Sequence, residues 1–329
     1  MKQFKPVKTA LIGSGMISGQ YLKYCIEEMN VLDVVGCSDI IPERAQKRAE
    51  EFGIRQMTNE EILNDDSIEI VINTTYPEAH YEVAKAILQS GKHAYTEKMI
   101  TRTLKEADEL MELAAQKKVY QCGAPDTFLG ASLQTARFML DSGIIGTPVA
   151  ARAVLIRSYH HERFYTGEEK RFPFCPGGGI IFDMGSYYLT ALVFLLGAIR
   201  RVCGFAQIRD AKRVYQNPYS PHYQEEMLVE SWNNVAGTLE FENGVLCSLL
   251  TSSESGAFEH GLVIYGTEGK LILADPNNFG DPVYIQLKSG EKQQVPMTHG
   301  LANAARGLGV ADLAYAVRNH RAPRASGEM

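Results

Sequence analysis

The chain has 329 residues, of which 45% are hydrophobic and 22% charged, and its formal net charge is −6. This length predicts about two domains, and the composition is that of a globular protein with ample material for a core. A negative balance without lysine- and arginine-rich runs argues against nucleic acid and anionic membrane as partners.

Neither the apolar runs nor the cysteines indicate a membrane or extracellular protein. The longest apolar run, "TALVFLLGAI", is far shorter than the roughly 20 residues of a membrane span. The N-terminal apolar stretch is also too short for a signal peptide. The six cysteines are scattered without metal-ligand spacing, which predicts reduced, buried thiols and no metal site. We therefore expect a soluble, cytoplasmic protein.

Strand and helix patterns alternate over the first third of the chain. The runs "VKTALIG", "LDVVGCSD", "IEIVINTT", "KHAYTEK" and "VYQCG" predict strands, and amphipathic segments between them predict helices. Two helix starts have capping-box spacing, at Thr58 with Glu61 and at Thr103 with Glu106. Strands separated by single helices predict a doubly wound parallel sheet with right-handed crossovers. We assign this Rossmann-type, dinucleotide-binding domain to residues 1–124.

From residue 125 onward the pattern changes. A helix is predicted from about Leu129 to Ser142, followed by the strand "TPVAARAVLIRS" and one long helix in "GGGIIFDMGSYYLTALVFLLG". Later segments alternate apolar and polar residues, and the turns at Asn243-Gly244 and at Thr267 to Gly269 predict hairpins. We predict an α+β domain over residues 125–329, built on a large, mainly antiparallel, open-faced sheet.

The predicted sheet has one face covered by helices and one face free. We expect the free face to be buried against another copy of the chain, which predicts a homodimer or homotetramer. The residues from which we infer this contact lie in the second hairpin: Leu262, Ile264, Leu271 and Leu273.

The first predicted strand ends in a glycine-rich turn, Gly13-Ser14-Gly15-Met16-Ile17-Ser18, that leads into a helix. In such a unit the first glycine permits the tight turn and the second lets a pyrophosphate approach the backbone at the helix N-terminus. Asp39 ends the second strand, where a carboxylate binds the ribose diol. This carboxylate would repel a 2′-phosphate, so NAD is favoured, and Arg44 keeps NADP as the alternative.

The segments "GSGMIS", "VINTTYPEAHYEVAKAILQSGKHAYTEK" and "GGGIIFDMGSYY" resemble the glucose–fructose oxidoreductase / inositol dehydrogenase (Gfo/Idh/MocA) family. The resemblance runs from residue 7 to about 325. It implies a Rossmann domain, an open-faced α/β domain, and hydride transfer between a nicotinamide cofactor and a secondary alcohol of a sugar or cyclitol. By this resemblance Lys98 is the active-site lysine, Asp183 an active-site acid, and His80 lies near the nicotinamide.

The sequence departs from the family pattern in three places. Tyr187 stands where most members have the base histidine, and Met99 replaces the usual proline after Lys98. The chain also stops shortly after "RASGE", where family members continue through another helix. We place the following residues in the cofactor site: Gly13, Gly15, Met16, Ile17, Asp39, Thr74, Thr75, His80, Glu97 and Lys98.

Oxidising an alcohol by hydride transfer needs a base for the hydroxyl proton and a cation for the developing alkoxide. A lysine ammonium near a phenol lowers the phenol pKa, so Lys98 and Tyr187 form a sensible pair. Asp183 lies one helical turn before Tyr187 and is expected on the same face. Core packing or capping remains the alternative for Asp183 and Tyr187, and Tyr188 competes as the proton-transfer group.

Three residues are candidates for substrate binding. Tyr188 follows Tyr187, and His160 follows a strand of the second domain. Asp126, at the domain junction, either binds substrate or caps the helix that begins near Leu129.

The leading interpretation is an NAD(P)-dependent sugar or polyol dehydrogenase. One alternative is a glycosidase that oxidises and re-reduces a ring carbon through bound NAD. A second alternative is a non-catalytic regulator that binds dinucleotide and sugar.

Overall fold

The computed structural model describes residues 5–158 and 174–329. The chain forms two compact units, one comprising Met1–Asp126 with Ala304–Met329 and the other Thr127–Asn303. The expected division at residue 124 lies close to the first boundary. The expectation that the second domain runs to residue 329 is wrong, because the C-terminal segment returns to the first unit.

The first unit contains a six-stranded, wholly parallel sheet with the order β3-β2-β1-β4-β5-β6, which confirms the doubly wound prediction. Its strands are β1 Val7–Ile12, β2 Leu32–Ser38, β3 Arg55–Gln56, β4 Ile70–Asn73, β5 His93–Thr96 and β6 Gln121–Gly123. Its helices between these strands are α1 Ser18–Glu27, α2 Pro42–Phe52, α3 Asn59–Asn64, α4 Pro77–Gln89 and α5 Leu104–Lys117.

Local sequence signals explain where these elements begin. Both capping boxes form: Thr58 and Glu61 start α3, and Thr103 and Glu106 start α5. Each such cap contributes about 1 kcal/mol to helix stability. The strands β1 and β4 lie inside the sheet and are almost wholly buried, as expected for parallel strands covered by helices on both faces.

The second unit contains an eight-stranded sheet with the order β16-β15-β14-β13-β7-β12-β11-β8 and a separate β9-β10 ribbon. Only the β7–β12 pair is parallel among the described pairings of the large sheet, and both predicted hairpins form. Its helices are α6 Ala131–Asp141, α7 Ile180–Asp183 and α8 Gly185–Leu196. Its strands are β7 Pro148–Ser158, β8 Ile199–Gln207, β9 Lys212–Val214, β10 Glu226–Leu228, β11 Asn234–Phe241, β12 Leu246–Ser252, β13 Glu254–Gly266, β14 Gly269–Leu273, β15 Val283–Leu287 and β16 Gln293–Val295.

The glycine-led segment forms two helices rather than the single long helix that was expected. The break falls at Met184, whose φ of −117° departs from the ideal helical value of about −63°. Gly185, a weak helix former, follows directly. Gly179 precedes α7 with a φ of +86°, and a Cβ there would lie 2.5 Å from the Trp232 carbonyl oxygen. Glycine is therefore required at the start of this segment.

The two faces of the large sheet differ in burial, and the residues expected on its free face lie on the other one. Leu262, Ile264, Leu271 and Leu273 are buried within the unit, where α6 packs on β14 and β15. The residues that alternate with these four along the strands lie on the free face. The exposed large apolar side chains on it include Phe205, Leu246, Leu250 and Tyr265.

The C-terminal segment contributes helix α9, Leu308–Asn319, to the first unit, where it packs against α1 and β6. The chain then runs antiparallel beside β6, with the Gly123 N–H donating to the Ala325 carbonyl and the Gly327 N–H donating to the Gln121 carbonyl. Cys203 is exposed, so the expectation of buried thiols is wrong at that position.

Within the described ranges, no helix is both long and apolar enough to pass through a membrane.

Candidate cofactor and catalytic site

The loop between β1 and α1 is shaped by Gly13, whose φ is +101°. A Cβ at this position would lie 2.6 Å from the carbonyl carbon of Thr74. The Thr74 hydroxyl also donates to the Gly13 carbonyl at 2.7 Å. Only glycine fits this contact, which joins the loop to the carboxyl end of β4. Gly13 and Thr74, both predicted in the cofactor site, are therefore neighbours.

Gly15 has a different environment from Gly13. A Cβ on Gly15 would meet no heavy atom within 4 Å, so the space beside this backbone is open. Helix α1 begins at Ser18, after Met16 and the N-cap Ile17, and its N-terminal N–H groups favour an anion. The Ser18 hydroxyl donates to the Gly15 carbonyl at 2.6 Å and takes the place of the usual third glycine. This cradle fits a dinucleotide pyrophosphate.

Asp39 is held against the glycine loop by the backbone. One carboxylate oxygen accepts the Ser14 N–H at 2.7 Å, and the other accepts the Ile41 N–H at 2.9 Å. A carboxylate offers about four lone-pair positions. Asp39 therefore retains acceptor capacity for a ribose diol while both of its oxygens are oriented by the protein.

Arg48 is a member of the site that the sequence interpretation missed. Its guanidinium donates to the Gly15 carbonyl at 3.2 Å and to the Ser18 hydroxyl at 3.1 Å. The available signal was its position three residues after Ala45, which is buried, because residues three apart share a helix face. The guanidinium also pairs with Glu51 at 2.6 Å, so Arg48 joins α2 to the loop.

Glu97 lies at the end of β5 with its carboxylate turned into the protein. One oxygen accepts the Tyr21 hydroxyl at 2.7 Å, and the other accepts the Lys98 N–H at 2.9 Å. Glu97 is 7% exposed, and Tyr21 is fully buried on α1. Glu97 was predicted in the cofactor site, and both of its carboxylate oxygens accept hydrogen bonds from within the protein.

His80 is also buried, and both ring nitrogens face main-chain carbonyls. Nδ1 lies 2.6 Å from the Met99 oxygen and Nε2 lies 2.9 Å from the Thr75 oxygen. Burial lowers the pKa of His80, whereas the two carbonyls and Glu97 act in the opposite direction. The imidazole therefore links the loop after β4 to the segment after Lys98. The peptide bond between Lys98 and Met99 is cis.

Asp126 does not cap the helix near Leu129, and its side chain is fully buried. One carboxylate oxygen accepts the N–H groups of Gly307 and Gly309, each at 3.0 Å. The other lies 3.9 Å from the Arg306 guanidinium. Asp126 thus caps α9, which the sequence interpretation did not contain. The capping of the helix near Leu129 is therefore wrong, and the role of Asp126 as a substrate ligand stays a prediction.

The second unit holds Asp183, Tyr187 and Tyr188, all of them buried. Burial and the nearby carboxylate of Asp275 raise the pKa of Tyr188 far above its ordinary value. Tyr188 therefore stays protonated and is a poor proton acceptor, and the role of Tyr187 stays a prediction. His160, the remaining substrate-binding candidate, lies outside the described residues.

The geometry brings together the predicted cofactor residues of the first unit, at the carboxyl edge of β1, β2, β4 and β5. Lys98 belongs to this unit, whereas Asp183 and Tyr187 belong to the other. Their pairing across the two units stays a prediction.

Comparison with known proteins identifies the family of the chain. Residues 7–123 match the family model of the oxidoreductase family with an NAD-binding Rossmann fold, and residues 133–272 match the GFO/IDH/MocA C-terminal domain. The chain therefore belongs to the Gfo/Idh/MocA family and is an NAD-binding oxidoreductase. This confirms the resemblance, the fold class and the cofactor.

Several curated relatives cover most of the chain. An uncharacterised oxidoreductase of Schizosaccharomyces pombe is 28% identical over 298 residues, which are 88% of this chain and 75% of the relative. The 1,5-anhydro-D-fructose reductase of Ensifer adhaerens is 26% identical over 322 residues, 97% of this chain and 90% of the relative. Among solved structures, levoglucosan dehydrogenase in complex with NADH has a TM-score of 0.83 at 18% identity, covering 98% of this chain and 92% of the other.

Proposed function

We propose that the protein transfers hydride between a nicotinamide cofactor and a secondary alcohol or carbonyl of a sugar, cyclitol or related polyol. The observation that carries this proposal is the first unit's cradle, in which an open Gly15 backbone lies beside an oriented Asp39 carboxylate. The substrate class is supported by the names of relatives, 1,5-anhydro-D-fructose reductase and levoglucosan dehydrogenase.

NAD is the proposed cofactor in preference to NADP. Asp39 presents a carboxylate at the expected ribose position, where a 2′-phosphate would meet like charge. Glycine-loop N–H groups and the start of α1 would hold the pyrophosphate. When bound, the nicotinamide ring supplies the hydride acceptor.

The proton chemistry is assigned to Lys98 and Tyr187. Tyr187 would accept the hydroxyl proton, and the Lys98 ammonium would favour the phenolate and stabilise the developing alkoxide. Asp183 would orient the lysine or accept a hydrogen bond from a substrate hydroxyl. The neutral phenol of Tyr188 would remain outside the proton transfer.

We further propose that the protein works in the cytoplasm as a homodimer or homotetramer. The free face of the eight-stranded sheet supports a self-association surface, since Phe205 on it is 88% exposed and Leu250 43%. An apolar sheet face of this kind is typical of a protein interface.

Cofactor-linked turnover tests the function. Purified protein is incubated with NAD, and separately with NADP, across a panel of sugars, inositols and aryl glycosides, while NADH absorbance and aglycone release are followed together. We expect NADH formation that is lost in Lys98→Ala and Tyr187→Phe and retained in Lys105→Ala, a change at an exposed lysine.

The other outcomes identify the alternatives. Aglycone release without NADH would contradict the dehydrogenase and favour the glycosidase. Tight NAD binding with neither signal would favour a non-catalytic regulator, and equal turnover with NADP would overturn the assigned role of Asp39.

A further inference from the structure

We propose that Glu97 and His80 are positioning residues that clamp the Lys98 segment from its two sides and tie it to the cofactor loops. The clamp is defined by three side chains: Tyr21, Glu97 and His80. It rests on the proposed function in one respect, the role of Lys98 as the active-site lysine.

The first side of the clamp holds the backbone at Lys98. Strand β5 ends at Thr96, and the Glu97 N–H still donates to the Asn73 carbonyl at 2.9 Å. The Lys98 N–H turns away from the sheet and donates instead to the Glu97 carboxylate. This contact fixes the orientation of the peptide group between Glu97 and Lys98.

Tyr21 fixes the carboxylate in turn. Its hydroxyl donates to the second Glu97 oxygen inside the protein, and burial together with Glu97 raises the pKa of Tyr21, so the phenol stays a donor. A buried carboxylate must be hydrogen-bonded, because desolvation without compensation is costly. Tyr21 lies on α1, the helix that starts at the glycine loop.

The second side of the clamp holds the carbonyl of Met99, one residue beyond Lys98. His80 Nδ1 lies 2.6 Å from this oxygen, while Nε2 faces the Thr75 carbonyl in the loop after β4. Both of these partners are carbonyl oxygens, which only accept, so the ring holds the two segments together when both of its nitrogens carry a proton.

Two residues outside the Lys98 segment, Tyr21 and Thr75, connect the clamp to the rest of the first unit. Tyr21 lies on the helix that follows the glycine turn. Thr75 follows Thr74, whose hydroxyl donates to the Gly13 carbonyl. Lys98 is therefore held in register with the two loops that form the cofactor cradle. A displacement of about 1 Å in such a group costs roughly 10²-fold in rate.

Tyr21→Phe tests the first side of the clamp, because it removes one hydroxyl and keeps the ring. We expect faster hydrogen–deuterium exchange of the Lys98 amide and a fall in kcat of about tenfold, the equivalent of one hydrogen bond to a charged group. The affinity for NADH, measured by nicotinamide fluorescence, should stay within about twofold, since Tyr21 acts through Glu97 and not on the cofactor. Tyr24→Phe, one turn later on α1, is the matched control.

His80→Gln and His80→Leu test the second side. Glutamine keeps an N–H donor and should restore most of the activity and exchange protection that leucine loses. In a Lys98→Met background, Tyr21→Phe should have no further effect on residual kcat, because a positioning residue acts only through the group it positions.

Two results would overturn the proposal: unchanged Lys98 amide exchange in Tyr21→Phe, or an equal loss of kcat in the Lys98→Met background. The exchange measurement needs no turnover. Faster exchange with no activity on any polyol would support the clamp and contradict the proposed function, so the two failures are distinguishable.

Discussion

The carboxyl edge of the first unit's sheet is polar, whereas the free face of the second unit's sheet is apolar. At the first, polar groups bind one another: Asp39 holds Ser14, and Glu97 holds Tyr21 and Lys98. At the second, Phe205 and its apolar neighbours face outward.

This difference separates two ways of completing a surface. Buried polar groups must find partners within the chain, because an unsatisfied one costs about 1–3 kcal/mol. Exposed apolar side chains need no partner within the chain, and they contribute stabilising free energy only when another surface buries them. Substitutions in the first region should therefore change stability and chemistry, and those in the second should change association.

The largest expected effect comes from Asp126→Ala. The change removes the acceptor of two α9 N–H groups and the charge opposite Arg306, so we expect a loss of about 3 kcal/mol in the free energy of unfolding. Urea unfolding followed by circular dichroism measures it, with Asp108→Ala, at an exposed acid of the same unit, as the control. A loss below about 1 kcal/mol would contradict the capping role.

The two glycines of the β1–α1 loop should respond differently. Gly13→Ala forces a φ of +101° and a Cβ 2.6 Å from Thr74, so we expect about 2 kcal/mol of destabilisation. Gly15→Ala meets no protein atom and should keep the stability of the wild type while weakening NAD binding about tenfold, because the methyl enters the pyrophosphate space.

Thermal unfolding and calorimetric titration with NAD separate these effects. Undiminished NAD affinity in a folded Gly15→Ala variant would show that the pyrophosphate does not approach this backbone.

Phe205→Glu should act on association alone. A charge on the free face opposes its burial against a second copy, so we expect the dimer to dissociate at least tenfold more readily, equal to about 1.4 kcal/mol. Light scattering over a concentration series measures this, with Phe138→Glu, an exposed aromatic on α6, as the control. A monomeric wild-type protein would remove the proposed interface.

The smallest expected effect is a loss of stability at mildly acidic pH. Burial lowers the pKa of His93, and its Nδ1 accepts the Tyr120 N–H at 3.0 Å, which requires an unprotonated nitrogen. His93 is thus neutral in the fold, and the unfolded chain takes up a proton first as the pH falls through about 6.5. Its contribution to stability is complete above that pH and decreases below it, by up to about 1.4 kcal/mol per pH unit.

Urea unfolding at pH 7.5 and pH 5.5 measures this difference. It should shrink in His93→Gln and persist in His260→Gln, which changes an exposed histidine. If the stability difference between the two pH values is the same in His93→Gln, titratable groups other than His93 cause it.

Much of the first unit was predictable because its signals are local. The strand–turn–helix at Gly13, the capping boxes at Thr58 and Thr103, and the acid that ends β2 each depend on residues near in sequence. The hairpin at Asn243-Gly244 was predictable for the same reason: a two-residue turn of this kind specifies its own geometry.

The errors arose where distant residues decide the outcome. Asp126 precedes one helix in sequence but caps another that follows far along the chain, at Gly307 and Gly309. The apolar alternation of Leu262 and Ile264 identified a buried face, but a period of two does not say which face the helices cover.

The sequence by itself determined the alternation of strands and helices, the glycine turn and the acid at Asp39, since these follow from residue type and short spacing. Only the tertiary structure decided that the C-terminal helix joins the first unit, and that Tyr21, Glu97 and His80 surround the Lys98 segment. The reason is physical: buried polar side chains take their partners from whatever the fold brings within hydrogen-bond distance, and sequence separation sets no limit on that choice.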